Sequence, residues 1–305
     1  METGNPTSEV VVISMNPKSG ATDQRAIVEE LTACLIEHGF EVLLLTDIAE
    51  MIDVVGQHFG GRLRCVVAAG GDGTISLLAN ELPENTPLAI LPLGTENLLA
   101  KYLGVSADPV ALANMIIAGD CRQLDAGRAN GKLFLVMASC GFDADVVHRL
   151  HSNREGHIRH WSYAKPIVSA IRKYKYPKIR VSLDSTDGHR PTVDPCWAFI
   201  FNVPRYAMNL PIAAEANPED GVLDLCTFRG GSLFRGLFYL VSVLLRRHKH
   251  WTTSKTYHFT KLTMESDGKV PYQLDGDPGG TLPLTIEVVK GGVTLIVPST
   301  LAERK

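Results

Sequence analysis

The segment Arg64 to Thr74, RCVVAAGGDGT, decides how the first part of the chain is built. An apolar, β-branched run of strand length opens into glycines and one aspartate, and Ile75 to Leu82 continues with helical spacing. Glycines let a backbone approach an anion closely, and a helix N-terminus supplies N–H groups and a positive dipole end. Asp72 would repel bare phosphate, so it points to a metal-bound nucleotide or to a role in orienting the loop. A merely structural tight turn is the competing reading. The run is not a G-x-G-x-x-G dinucleotide fingerprint, because Ser76 stands at the third glycine position counted from Gly71. Nor does the chain contain a G-x-x-x-x-G-K-[ST] loop, or the H-R-D and D-F-G signatures of protein kinases.

Upstream and downstream, strand and helix signals alternate. Glu9 to Met15 reads as a strand, and Asn16-Pro17-Lys18-Ser19-Gly20 as the loop after it. Thr22 to His38 is helical in period, with Ile27, Leu31 and Leu35 on one face and Gly39 closing it. Phe40 to Leu45 is a second strand, Ile48 to Phe59 a second helix, and Leu88 to Leu91 a further buried strand. Such alternation predicts an α/β domain with a parallel sheet covered by helices on both faces. Ligands of such sheets sit beyond the carboxyl ends of the strands. The loops Asn16 to Gly20, Gly70 to Thr74 and Pro92 to Asn97 all follow strands and should share one crevice.

After about Asp125 strand-like segments dominate: Lys132 to Ala138, Lys178 to Leu183, Trp197 to Asn202, Leu223 to Phe228, Lys255 to Met264, Leu284 to Val289 and Val293 to Val297. Trp161 to Tyr174 and Leu233 to Arg247 interrupt them with helical spacing. The expected division is therefore an α/β domain over 1–125 and a β-rich, antiparallel domain over 126–305, whose last segment is free to pack back on the first.

The formal net charge of −3 gives no general attraction to nucleic acid or anionic membrane. Six cysteines are scattered without a C-x-x-C pair, which reads as buried thiols in a reducing compartment rather than a disulfide or zinc framework. Met1 to Val10 carries no signal-sequence pattern, so the expected location is cytoplasmic. The apolar stretch Leu233 to Leu245 contains Arg235 and is shorter than the ~20 residues of a membrane span. Followed by Arg246-Arg247-His248-Lys249-His250 and Trp251, it suits either a core helix with a cationic end or peripheral docking at an anionic surface. His148, His151, His157 and His160, among Arg149, Arg154 and Arg159, read as a solvated basic loop rather than a zinc site.

Taken together, N-P-K-S-G (Asn16 to Gly20), G-G-D-G-T (Gly70 to Thr74) and P-L-G-T-x-N (Pro92 to Asn97) resemble the diacylglycerol kinase catalytic domain. Bacterial soluble lipid kinases are the nearest kin implied, with ceramide and sphingosine kinases more distant. Ser139-Cys140-Gly141-Phe142-Asp143-Ala144 is similar to the family's S-x-G-F-D-A, and Pro218 to Asp224 to its D-D-G-x-L-D. Gln273-Leu274-Asp275-Gly276-Asp277 stands where the family has Q-x-D-G-E. The resemblance implies a nucleotide-binding α/β domain, a C-terminal β-sandwich and an active site in the interdomain cleft. It implies ATP and Mg²⁺ as cofactors and a lipid hydroxyl, presented at a membrane surface, as acceptor. Asn16, Lys18, Ser19, Gly20, Thr46, Gly70, Gly71, Asp72, Gly73, Thr74, Gly94, Thr95 and Asn97 would surround the nucleotide. Asp277 would accept the hydroxyl proton while Asp72 and Asp275 organise Mg²⁺. The competing reading of Asp275-Gly276 is a hairpin turn. A structural cation site is implied at Asp220 with main-chain oxygens near Asn217 and Val222, against a plain surface turn. A homodimer is compatible with the chain.

The chain departs from the family pattern at Leu98, where an aspartate is usual, at Ser76 and Leu77, where N-E is usual, and at Asp277, where glutamate is usual. Two other functions fit the same residues: an NAD kinase-like enzyme, and a lipid- or nucleotide-binding regulatory protein that has lost catalysis.

Overall fold

The computed structural model describes residues 8–15, 22–152, 177–185, 191–204, 212–228 and 254–302. The loop Asn16 to Gly20, the helical stretches Trp161 to Tyr174 and Leu233 to Arg247, and the basic residues Arg154 to His160 and Arg246 to Trp251 lie outside the described residues. Contacts divide the chain into two compact units, Met1–Leu124 with Gly291–Lys305, and Asp125–Lys290.

In the first unit β1 (Val10–Met15), β2 (Glu41–Leu45), β3 (Leu63–Gly70), β4 (Pro87–Pro92) and the end of β15 (Leu284–Ile296) run in the order β2-β1-β3-β4-β15. Every pairing is parallel. Strand alternation splits the apolar side chains between two faces. Val11 and Ile13 of β1, Cys65, Val67 and Ala69 of β3, and Ala89 and Leu91 of β4 pack with Val28, Leu31 and Leu35 of α1 (Thr22–Glu37). Leu112, Ala113 and Ile116 of α5 (Pro109–Ala118) join the same cluster. The helices α2 (Ile48–His58) and α3 (Asp72–Glu81) contact β1, β3 and β4. Asp47 caps α2 by accepting the Glu50 N–H at 2.9 Å, and Asp108 caps α5 by accepting those of Val110 and Ala111.

The second unit is an antiparallel sandwich. One layer runs β14 (Asp277–Thr281), β13 (Pro271–Leu274), β7 (Met137–Cys140), β10 (Trp197–Phe201), β11 (Leu223–Phe228) and the first half of β12 (Ser254–Glu265). The second half of β12 pairs with β8 (Arg180–Ser185) and with the start of β15, and β9 (Thr192–Val193) pairs with β8. Strands β5 (Cys121–Ala129) and β6 (Lys132–Phe134) form a hairpin. Ala138, Ala198, Ile200 and Leu225 from one layer and Val181, Leu183, Met264 and Ile286 from the other are buried in a common core. The helix α6 (Phe142–Ser152) follows β7 directly.

Four expectations need correction. Lys132 to Ala138 is not one strand: β6 ends at Phe134 and β7 starts at Met137, because side chains take up the backbone groups between them. Leu284 to Val289 and Val293 to Val297 are one continuous strand, β15, which passes through Gly291 at a φ of 58°. Cys121 is exposed rather than buried, at the start of β5, although none of the six cysteines is in a disulfide. His148 and Arg149 also belong to α6 rather than to a loop. Among the described residues no helix is long and apolar enough to cross a membrane.

Asp224 is buried on β11 opposite His258 of β12, whose Nδ1 lies 3.0 Å from its Oδ1. Burial pushes its carboxyl up to about 6, His258 holds it down, and Asp220 and Glu215 push it further up. A folded pKa above the ordinary 3.8 means that the ionised form costs stability, a cost present above pH 6 and relieved as pH falls toward 4. Asp224→Asn, an isostere of the protonated acid, is therefore expected to melt above the parent at pH 8, with the gap narrower at pH 5 and closed only below about pH 4. A thermal-unfolding gap that does not change between these pH values contradicts this.

Candidate active site

All parallel strands of the first unit deliver their carboxyl ends to one edge, where Met15 stands level with Ala69, Gly70 with Pro92, and Ser14 with Leu45. The residues after β2, β3 and β4 therefore gather there, which brings exposed Thr46 onto the edge that carries Gly70–Thr74 and Pro92–Asn97.

The last two loops are locked together by backbone contact. The Gly70 carbonyl accepts the N–H groups of Leu93 at 2.9 Å and Gly94 at 3.2 Å. A Cβ on Gly94 would stand 2.5 Å from the Gly71 Cα, and one on Gly70 would stand 2.2 Å from the Thr74 hydroxyl. Both glycines are needed for close approach rather than for an unusual φ. Gln24 of α1 ties in as well, donating to the Leu93 carbonyl at 2.9 Å.

Asp72 and Asn97 complete the lock. The Asp72 carboxylate accepts the N–H of Leu98 at 2.8 Å and that of Leu99 at 3.1 Å, the first groups of α4 (Leu98–Leu103). Burial raises the pKa of this carboxyl, while those two N–H groups and Lys101 work in the opposite direction. Asn97 adopts a φ of 50°, which Asn tolerates better than most residues. Its amide accepts from the Gly94 N–H at 3.1 Å and donates to the carbonyls of Pro92 at 3.1 Å and Gly94 at 2.8 Å. Thr95 is left exposed between these braced residues.

In the second unit Asp275 and Gly276, with φ of 49° and 88°, form a two-residue hairpin turn between β13 and β14, the conformation of a type I′ turn. The Asp275 carboxylate accepts three N–H groups, from Leu135 at 2.8 Å, Val136 at 2.9 Å and Met137 at 3.0 Å. Its own N–H donates to the Met137 carbonyl at 2.9 Å. Across the same segment the Asn202 amide donates to the Leu135 carbonyl and to that of Asp125, both at 2.7 Å. The Asp125 carboxylate accepts the Gly221 N–H at 2.7 Å. Asp277 follows the turn, half-buried, as the first residue of β14.

Asp72 and Asp275, assigned to Mg²⁺ from sequence, thus already serve backbone N–H groups. Among the described residues no three His, Cys, Asp or Glu side chains converge as a metal site. The loop of Asn217, Asp220 and Val222 is closed by its own bonds: Asp220 Oδ1 accepts the Val222 N–H at 3.1 Å, and the Asn217 carbonyl that of Asp220 at 3.4 Å. That is the surface-turn geometry. Asn202 and Asp125 carry no recognisable spacing and were not singled out from sequence. A polar residue among strand signals was their only trace.

A parallel sheet with a glycine-rich loop at its carboxyl edge, joined to an antiparallel sandwich, is the fold class of diacylglycerol and NAD kinases. Residues 9–129 match the diacylglycerol kinase catalytic domain, and residues 136–297 the YegS C-terminal NAD kinase beta sandwich-like domain. The chain belongs to the diacylglycerol kinase family, in its YegS-like form. A "Probable lipid kinase YegS-like" protein of Shewanella frigidimarina is 25% identical over 86% of this chain and 85% of its own length. The diacylglycerol kinase of Bacillus subtilis is 23% identical over 78% and 79%. A crystal structure of a diacylglycerol kinase from Bacillus anthracis shares the fold with a TM-score of 0.68 at 17% identity, covering 96% of this chain and 98% of that one. Yeast NADH kinase complexed with NADH follows at 0.53 and 12% identity, over 97% of this chain and 85% of that one.

Losing the Asp72 carboxylate leaves the first N–H groups of α4 without their acceptor. Asp72→Ala is expected to lower unfolding stability by about 1–3 kcal/mol, and Asp72→Asn, which keeps one acceptor, by less. Urea unfolding measures both. An Asp72→Ala protein as stable as the parent contradicts the bracing role.

Proposed function

We propose that the protein is an ATP-dependent lipid kinase, transferring the γ-phosphoryl group of Mg-ATP to a lipid hydroxyl. The observation that carries this reading is the lock of Gly70, through its carbonyl, and Asp72, through its carboxylate, onto Leu93, Gly94 and Leu98 at the carboxyl edge of a parallel sheet. It makes a rigid, small-residue surface at the place where such sheets bind phosphates. Membership of the diacylglycerol kinase family supports phosphoryl transfer, and the names carried by the relatives support a lipid acceptor.

In this reading Mg²⁺ arrives with the nucleotide as part of the substrate. The phosphates lie against Gly70, Gly71, Gly73 and Thr74, with Gly94, Thr95 and Thr46 beside them, and Asn16, Lys18, Ser19 and Gly20 complete the site. Asp72 and Asn97 hold these loops in shape, and Asp275 holds the turn. Asp277 receives the proton as the lipid oxygen attacks the γ-phosphorus and the bond to the ADP oxygen breaks. The structural cation proposed for Asn217, Asp220 and Val222 is not needed for this chemistry.

Incubation with radiolabelled ATP, Mg²⁺ and mixed micelles of dioleoylglycerol, ceramide or phosphatidylglycerol, with NAD in parallel, tests the proposal. The expected result is label in a lipid, with Asp277→Asn at least about 100-fold slower, the span of a lost general base. ATP binding without label in any lipid or in NAD would replace this reading by that of a regulatory protein. Label in NAD alone would replace it by an NAD kinase.

A further inference from the structure

The turn that presents Asp277 is held on one side by Asp275, and a second hydrogen-bond chain reaches it from the other. The Gly276 N–H donates to Gln273 Oε1 at 2.8 Å. Gln273 Nε2 donates to Ser139 Oγ at 3.1 Å, and the Ser139 hydroxyl donates to Asp143 Oδ2 at 2.5 Å. Ser139 and Gln273 face each other on β7 and β13 and are 0% and 1% exposed. Nothing in the packing of an apolar sandwich calls for a buried serine and glutamine side by side, and such groups are costly unless bonded.

The order of donors is fixed by chemistry. An ionised carboxylate only accepts, so the single Ser139 proton points to Asp143. Ser139 Oγ then has only lone pairs left, so Gln273 must present its NH₂ to it and its carbonyl oxygen to Gly276. All three donors point toward Asp143, an arrangement in which each bond polarises the next. Asp143 stands in the first turn of α6, and that helix is tied to β13 independently: the Gly141 N–H donates to the Pro271 carbonyl at 3.1 Å. His148 Nε2, facing a carbonyl acceptor, donates to Tyr272 at 2.9 Å.

We infer that Asp143, Ser139 and Gln273 are positioning residues for Asp277, fixing the Asp275–Gly276 peptide of the turn that precedes it from the start of α6. This rests on the reading of Asp277 as the proton acceptor. It gives a purpose to the shorter acid, since an aspartate has less reach than a glutamate and depends more on where its backbone is held. A displacement of about 1 Å at a reacting group can cost about 100-fold in rate.

The test compares Ser139→Ala, Asp143→Asn, Gln273→Met and Ser139→Thr with the parent, and with Val181→Ala as a core-destabilised control elsewhere in the sandwich. Readouts are kcat and the KM for ATP on dioleoylglycerol micelles, and amide hydrogen exchange of residues 274–278 without substrate. The relay predicts kcat lowered about 10- to 100-fold in the first three, KM within two-fold, and faster exchange at Gly276. Ser139→Thr, which keeps the hydroxyl, should recover most of the rate, and Val181→Ala should alter neither kcat nor the Gly276 exchange. Parent-like kcat and exchange in the first three variants, or an equal kcat loss in Val181→Ala, overturns the inference. Faster exchange with unchanged kcat overturns it too. Full activity in Asp277→Asn defeats the base assignment itself, and the Gly276 exchange rate tells that failure apart from a failure of the relay.

Discussion

A carboxylate cannot be taken out of water without hydrogen-bond donors, and each unit of this protein builds its candidate site around that constraint. In the first unit Asp72 meets it with the N–H groups of Leu98 and Leu99, which joins the loop after β3 to the helix after β4. In the second, Asp275 meets it with Leu135, Val136 and Met137, which joins the β13–β14 turn to the chain entering β7. In both cases an acid fixes one loop against another. The loop after β4 and the β13–β14 turn are each held by one of these two acids.

The departures from the family pattern look different in this light. Leu98 lacks the usual carboxylate, but what reaches Asp72 is its backbone N–H, which any residue other than proline supplies. Its side chain is buried, 8% exposed, so the position has become part of the core while keeping its place in the loop lock. Asp277 keeps an acid at the turn, and the bonds from Gln273 to Gly276 and from Asp275 to the β7 approach hold that turn from two directions.

Much of the fold was legible from the chain. The apolar runs of β1, β3 and β4 and the spacing of Leu31 and Leu35 in α1 dictate a doubly covered parallel sheet, because side chains buried on both faces leave no other arrangement. The motif residues were legible as a set, but their roles were not. Sequence places Asp72, Asn97 and Asp275 at a site without showing that their polar atoms face the backbone of neighbouring loops. The break between Phe134 and Met137 was hidden for the same reason, since a strand-like run was interrupted by partners 66 to 140 residues away, Asn202 and Asp275. Asp125 and Asn202 were missed altogether: their bonds span 96 and 77 residues, beyond any local pattern.

Crystals grown with Mg²⁺ and a non-hydrolysable ATP analogue give the most direct measurement of whether these braced loops are a nucleotide site. The β- and γ-phosphates should lie against the backbone of Gly70 to Thr74 and Gly94 to Thr95, with the Asp72 carboxylate still bonded to the N–H groups of Leu98 and Leu99. Nucleotide bound away from that edge, or an Asp72 carboxylate turned off the helix to ligate the metal, would contradict the account.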